Sequence, residues 1–423
     1  MLLLGLITLL AVLLLLRQNL LALLGSALIY IYLVFGSDAP HYIILDGWHA
    51  LNRDILLSIP LFILSGQIMS QGSMAKRMVR FVRALTGPVP GGLAMATVLS
   101  CALFAAISGS STVTLLAVGS VMYPALLQAG YPRPFALGAL CAAGTLGIIV
   151  PPSIPLILYG VMTNTSITDL FIAGIGPAIV LTLLMSGLAV VCNWDRRTDS
   201  WSGREILASL RQGVWSLFMP ILILGGIYSG HFTATESAAV AVVYAFVIEV
   251  FVHRELQLSG IHAAIQDTTK LLGALFPVIM LAVCLNVFFT YQHYPEQLVS
   301  QLYAWFPESR IFLLATNLFL LLAGAIMDIG SAVLILAPIL KPVAVSHGID
   351  PIHFGIIMIV NLEIGYLTPP FGLNLIVAMG AFNARFGEVC KSVIPFLLLM
   401  LLGLIIVSFI PQLSLYLINE ITP

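Results

Sequence analysis

The sequence predicts an all-α polytopic membrane protein: an inverted repeat with two re-entrant helical hairpins and two broken helices. Composition is the first reason. Of 423 residues, 60% are hydrophobic and 8% charged, with a mean hydropathy of +1.08, whereas soluble domains carry about 25% charged residues. The second reason is a pair of polar, glycine-containing interruptions, SGSST at 108–112 and MDIGS at 327–331, each at the centre of an apolar stretch. Lipid rejects such backbone unless protein or a water-filled cavity surrounds it. The third is a doubled motif: GIIVPPS at 147–153 returns as GYLTPPF at 365–371.

A helical crossing needs about 20 apolar residues, which places crossings near 2–16, 19–35, 55–70, 134–163, 170–192, 213–230, 237–252, 271–291, 352–382 and 390–415. The run at 2–16 resembles a signal-peptide core, but Arg17 follows it instead of preceding it and no cleavage site closes it. It reads as the first crossing, entered from outside. The stretches 91–128 and 310–346 contain the polar interruptions and read as hairpins whose tips meet inside the protein. The loop at 71–90 holds Lys76, Arg77, Arg80 and Arg83 and no acid, the 193–212 loop holds four arginines, and Arg254, Lys270, Arg385 and Lys391 mark the remaining inner segments. These are cytoplasmic by the positive-inside rule. The first hairpin then enters from the cytoplasm and the second from the opposite side, leaving Arg310 and Lys341 as basic exceptions on the outer face. The basic, amphipathic MAKRMVRFVRAL at 74–85 reads either as a helix along the membrane surface or as a charged loop. Glu236 opens a crossing, where an acid suits a helix N-terminus and Thr233 or Thr235 supplies a cap.

The chain accordingly divides into N-terminal scaffold helices (1–54) and a first repeat (55–212) with hairpin 91–128 and broken helix 134–163. Connecting scaffold helices and a surface helix follow (213–270), then a second repeat (271–423) with hairpin 310–346 and broken helix 352–382. A shift of 218 residues aligns Pro124 with Pro342, Gly130 with Gly348, Gly147 with Gly365, and Pro151-Pro152 with Pro369-Pro370, and Pro60 meets Pro277 at 217. An odd number of crossings separates equivalent points, so the halves are inverted across the membrane plane.

Each proline removes an amide donor and clashes with the carbonyl four residues back. The carbonyls of Gly147, Ile148, Gly365 and Tyr366 are thereby released, and Val150 and Thr368, which precede proline, leave helical geometry. Broken helices at the midplane of inverted repeats are where secondary transporters place substrate and coupling ions. Ser108, Ser110, Ser111 and Thr112 add hydroxyl oxygens to the first cluster, and Thr368 to the second. Neutral oxygens with few fixed charges suit sodium. The helices that restart after SGSS and MDIG aim their N-termini inward, which favours an anion. Candidates for substrate contact are the tip residues Ser110, Thr112, Asp328 and Ser331, with Asn374 beyond the second break. Asp328 is expected as a buried intramembrane acid, functional or a helix cap.

The segments AAISGSSTVTLLAVGSVMYPALLQAGYPRPFALG, GTLGIIVPPSIPLILYG, GHFTATESAAVAVVYA and NLEIGYLTPPFGLNLIV resemble the large membrane subunit, DctM type, of tripartite ATP-independent periplasmic (TRAP) transporters. The resemblance covers nearly the whole chain. It implies a sodium-driven elevator-type importer of an organic acid such as a C4-dicarboxylate or sialic acid, in the bacterial inner membrane. It also implies two partners, a small four-helix membrane subunit (DctQ type) and a soluble periplasmic substrate-binding protein, and no cofactor beyond the coupling sodium ions. The family's sodium ligands fall on Ser108, Ser111, Gly147, Val150 and Pro152 for one site. For the other they fall on Gly324, Gly365, Thr368 and Phe371.

Other classes fit less well. A net charge of −1 argues against nucleic acid as a partner. The five cysteines stand singly in apolar segments and read as small buried hydrophobes. An intramembrane protease lacks a histidine at mid-depth or a second membrane aspartate. A channel does not account for inverted hairpins with paired cation clusters. The nearest rival is a stand-alone sodium–dicarboxylate symporter of similar architecture.

Overall fold

The computed structural model describes residues 20–34, 41–196 and 202–421 with isolated positions before them, so most of the crossing expected at 2–16 lies outside the described residues. Among the described residues the regular structure is helical, and ten helical stretches are long and apolar enough to cross a membrane. The first part comprises α1 (Leu20–Val34), α2 (His41–Leu51), α3 (Ser58–Gln71), α4 (Met74–Thr86), α5 (Gly92–Ser108), α6 (Ser111–Gln128), α7 (Arg133–Ile149), α8 (Ile154–Thr163) and α9 (Ile167–Cys192). Two helices follow, α10 (Gly203–Tyr228) and α11 (Ala234–Val247). The last part comprises α12 (Leu258–Tyr291), α13 (Tyr294–Trp305), α14 (Ser309–Ile326), α15 (Ile329–Ser346), α16 (Pro351–Gly365), α17 (Leu373–Ala381), α18 (Phe386–Phe409) and α19 (Gln412–Ile421).

The doubling seen in the sequence holds element by element. Shifted by 218, both ends of α6 fall on both ends of α15, and the helix-interior Pro177 of α9 falls on Pro395 of α18. Gly130 and Gly348, the matched glycines after α6 and α15, share a left-handed backbone at φ +77° and +75°. The run 352–382 is not one helix: it divides into α16 and α17, as 134–163 divides into α7 and α8. Both Pro-Pro peptide bonds at the breaks are cis. The stretch from α7 to α8 is largely buried inside the protein, enclosed by α5, α6 and α18, while α16 packs among α14, α15 and α7. Irregular backbone at the first break is thus covered by protein, as a lipid environment requires, whereas Pro369, Pro370 and Phe371 at the second break are exposed.

Each helix–break–helix pair is closed at its base by one residue. For α5–α6 it is Arg196: its carbonyl accepts the Gly91 amide at 2.8 Å, its guanidinium donates to the Gly130 carbonyl, and the cation lies 5.3 Å from the centre of the Tyr131 ring. For α14–α15 it is His347, whose carbonyl accepts the Ser309 hydroxyl at 2.7 Å. Its Nε2 lies 2.7 Å from the Phe306 carbonyl and its ring stacks on Phe312. Of the basic exceptions on the expected outer face, Lys341 has a structural reason: its Nζ donates to the Thr163 carbonyl at 2.8 Å, at the negative end of α8.

Two expectations need revision, and one buried acid was not anticipated. The basic segment 74–85 is helical, but Met74, Met78, Val79 and Val82 are buried against α5 and α10, so its apolar face is not free to lie in lipid. Cys192 is exposed and Cys390 half-buried; Cys101, Cys141 and Cys284 are buried. Glu249, in the π-helical turn after α11, is fully buried and accepts the amides of Ser73 and Met74 at 2.8 and 2.7 Å. Those amides begin α4 and have no partner within it, so the carboxylate caps α4 from another helix. Gly72 leaves it room, since a Cβ there would run into the carboxyl group. We expect Glu249→Ala, which leaves both buried amides without their acceptor, to cost about 1–3 kcal/mol, read as a lower unfolding midpoint in detergent. An unchanged midpoint would show that the cap contributes nothing. At Glu236 the cap is local: Thr233 and Glu236 form a reciprocal capping box.

Candidate functional site

Both tips reach one cavity of about 550 Å³. The break after α5 lines it with Ser108 through Val113, and the break before α15 with Asp328 through Ser331. Ile148 and Tyr366 come from the two broken helices, Leu158 from α8, and Leu275 and Val278 from α12.

At the first break, oxygens crowd a buried point. The Ser108 hydroxyl lies 2.7 Å from Thr114 Oγ1 and 3.3 Å from the Ser110 carbonyl. Gly147 of α7 packs directly beneath: a Cβ there would sit 2.5 Å from the Ser110 carbonyl oxygen and 2.7 Å from Thr114 Oγ1. On the other side the Pro152 carbonyl approaches Gly109, which is left-handed at φ +57°. Val150 is extended, as a residue before proline must be, and Ser153 then caps α8. The structure therefore brings Ser108, Gly147 and Pro152 to one place. Ser111 is adjacent, its hydroxyl oxygen accepting an N–H of Asn374 at 2.5 Å.

The second break differs. Gly324 and Gly365 meet backbone to backbone, so that a Cβ on Gly365 would sit 2.5 Å from the Gly324 Cα. The Gly365 carbonyl is not released: the helix tightens and it accepts the Thr368 amide at 2.9 Å. An i+3 bond replaces the i+4 bond that the prolines remove, and one carbonyl lone pair stays available. The Thr368 hydroxyl donates to the Ile364 carbonyl at 3.0 Å, leaving its own lone pairs open. Phe371 is 57% exposed, and Pro369 and Pro370 are exposed beside it, whereas Pro151 and Pro152 are buried.

The substrate candidates separate into two groups. Ser110, Thr112, Asp328 and Ser331 line the cavity, with Ser110 and Thr112 hydroxyls 3.2 Å apart. Asp328 is exposed to it, not buried as expected, and caps α15 by accepting the Ser331 amide at 2.9 Å and the Ser331 hydroxyl. Asn374 is fully buried behind the cavity, donating to Ser111 and to the Cys141 carbonyl. Thr114, Glu363 and the hydroxyl of Tyr366 went unread in the sequence. Thr114 completes the first oxygen cluster. The Tyr366 hydroxyl accepts the Ile329 amide at 3.0 Å and ties the second break to its tip. Glu363, in α16, is fully buried, and neither carboxyl oxygen closes a hydrogen bond of ordinary geometry among the described residues. Its only sequence signal was an acid inside an apolar run.

A polytopic bundle with a doubled core, whose two helix breaks and two tips surround one cavity, has the architecture of a membrane permease. Comparison with known proteins narrows the class. The family profile of the tripartite ATP-independent periplasmic transporter, DctM component, matches residues 6–413. The C4-dicarboxylate TRAP transporter large permease protein DctM of Pseudomonas aeruginosa is 41% identical over 390 residues, covering 92% of this chain and 91% of that protein. The isethionate TRAP transporter permease protein DctMQ of Oleidesulfovibrio alaskensis is 34% identical over 402 residues, covering 93% of this chain and 62% of that longer protein. In fold, the Alcanivorax borkumensis YdaH transporter superposes with a TM-score of 0.67 over 90% of each chain at 15% identity. The chain belongs to the DctM family of TRAP transporter large permeases and is a multi-pass membrane protein.

Proposed function

We propose that this protein is the large permease subunit of a sodium-coupled secondary importer of an organic acid, a C4-dicarboxylate or similar small carboxylate, operating in the bacterial inner membrane by an elevator movement. One observation carries the coupling: among the described residues Asp328 is the single charged residue lining the central cavity, with no described lysine, arginine or histidine in the lining. An organic anion entering alone would meet a negative wall, and bound cations reverse that sign. The oxygen clusters at Ser108, Ser111, Gly147, Val150 and Pro152, and at Gly324, Gly365, Thr368 and Phe371, are where sodium would sit. The two tips dip in from opposite faces in this reading. A small DctQ-type subunit and a periplasmic binding protein complete the importer, a reading that the longer, DctMQ-named relative supports.

In proteoliposomes, uptake of succinate should require an inward sodium gradient, the small subunit and the loaded binding protein, and should ignore ATP. Sodium-driven uptake by this chain alone would replace the tripartite reading with a stand-alone symporter. Uptake indifferent to sodium would remove the coupling.

A further inference from the structure

A second cavity, of about 330 Å³, opens at the end of α8. Val161 from α8, Asn164 just beyond its end, Asn286, Val287 and Thr290 from α12, and Arg53 from the segment after α2 are in its wall. It shares two wall helices, α8 and α12, with the central cavity. α8 lines the central cavity at Leu158 and this one at Val161, and α12 lines them at Val278 and Val283. Both helices step from one cavity to the other in their own chain direction, a shift of about one turn at 1.5 Å per residue. The helix ends reached this way are those that the charge pattern of the sequence assigns to the outer face.

The two cavities are opposite in sign. Among the described residues the central lining has one acid and no base, and this one has Arg53 and no acid. Arg53 donates one bond, at 3.2 Å, to the Val161 carbonyl. A guanidinium carries five N–H donors in a fork that matches carboxylate and sulfonate oxygens. The carbonyl end of α8 is also served by Lys341 at Thr163, so Arg53 is not its sole cation. Asn164 and Asn286 add neutral polar groups to the wall.

We propose that the Arg53 cavity is a receiving site for a small organic anion, occupied before the central cavity and without sodium. The direction of traffic rests on the proposed function; the binding itself does not. The test uses the detergent-purified full chain in sodium-free choline buffer. Val287→Cys is alkylated with iodoacetamide and followed by mass spectrometry, which separates it from the five native cysteines. Succinate should slow the reaction saturably, and its uncharged diamide should not. Arg53→Gln should raise the half-protecting concentration by about ten- to a hundredfold, with Arg53→Lys in between. Asn286→Asp, which adds an acid to the wall and leaves the Arg53–Val161 bond in place, should abolish protection and serves if Arg53→Gln does not fold. Thr368→Ala should leave protection unchanged. Wild-type protection that is absent, matched by the diamide, retained in Arg53→Gln, or dependent on sodium would overturn the proposal. Sodium-free protection together with sodium-indifferent uptake would instead refute the coupling and leave this site standing.

Discussion

Gly365→Ala should fail to reach a stable fold, although it adds a single methyl group. The new Cβ would lie 2.5 Å from the Gly324 Cα, and its nearest neighbours are backbone atoms of α14 that no rotamer change can clear. Overpacking a tight core costs about 1–3 kcal/mol, and more where the obstacle is backbone. The helical preference for alanine returns at most about 1 kcal/mol. Gly380→Ala is the control: nothing lies within 4 Å of its added carbon, and its unfolding midpoint should equal or exceed that of the wild type. Thermal unfolding in detergent decides the matter, and a Gly365→Ala protein as stable as the wild type would show that α14 and α16 are not held in this contact.

Thr368→Ala should leave the protein folded and raise its sodium requirement. The substitution removes an oxygen whose lone pairs are open, while the prolines still break the helix and the Thr368 amide still closes on Gly365. Losing an interaction of hydrogen-bond strength with a charged group costs about 1.5–3 kcal/mol, or roughly 10- to 150-fold in sodium affinity. Ser111→Ala should act in the same direction through the other cluster, and it also deprives the buried Asn374 of one of its two acceptors. The double variant should be weakened further. If the breaks were only kinks, both single variants would keep the wild-type half-saturation in a sodium titration of uptake.

The tips and breaks were legible because polar and proline residues stand out against an apolar background, and because one shift of 218 relates them. Their bonding was not. A proline states which carbonyl loses its i+4 donor, but the Thr368 amide reaching Gly365 depends on how the chain tightens afterwards. Periodicity revealed an apolar face on 74–85 and could not say that α5 and α10 cover it. Glu249 and Glu363 escaped because an isolated acid in an apolar run acquires meaning only from another element. For Glu249 that element is the start of α4, almost two hundred residues earlier in the chain. Asp328 was found, but its exposure is a property of a cavity that forms from distant segments.

The closed bases of the two helix–break–helix pairs, at Arg196 and His347, have a mechanical consequence. Helices α6 and α15 each hold 18 residues, so each is an arm of about 27 Å at 1.5 Å per residue. With the base acting as fulcrum, a tilt of about 1° displaces the tip by about 0.5 Å on that arm. That is about the full spread of ordinary N–H···O distances, 2.7 to 3.2 Å. Contacts at Ser108, Ser110 and Asp328 can therefore be made or lost through angular play too small to disturb packing along the arms. Leverage, not refolding, sets how finely the tips respond to what lies between them.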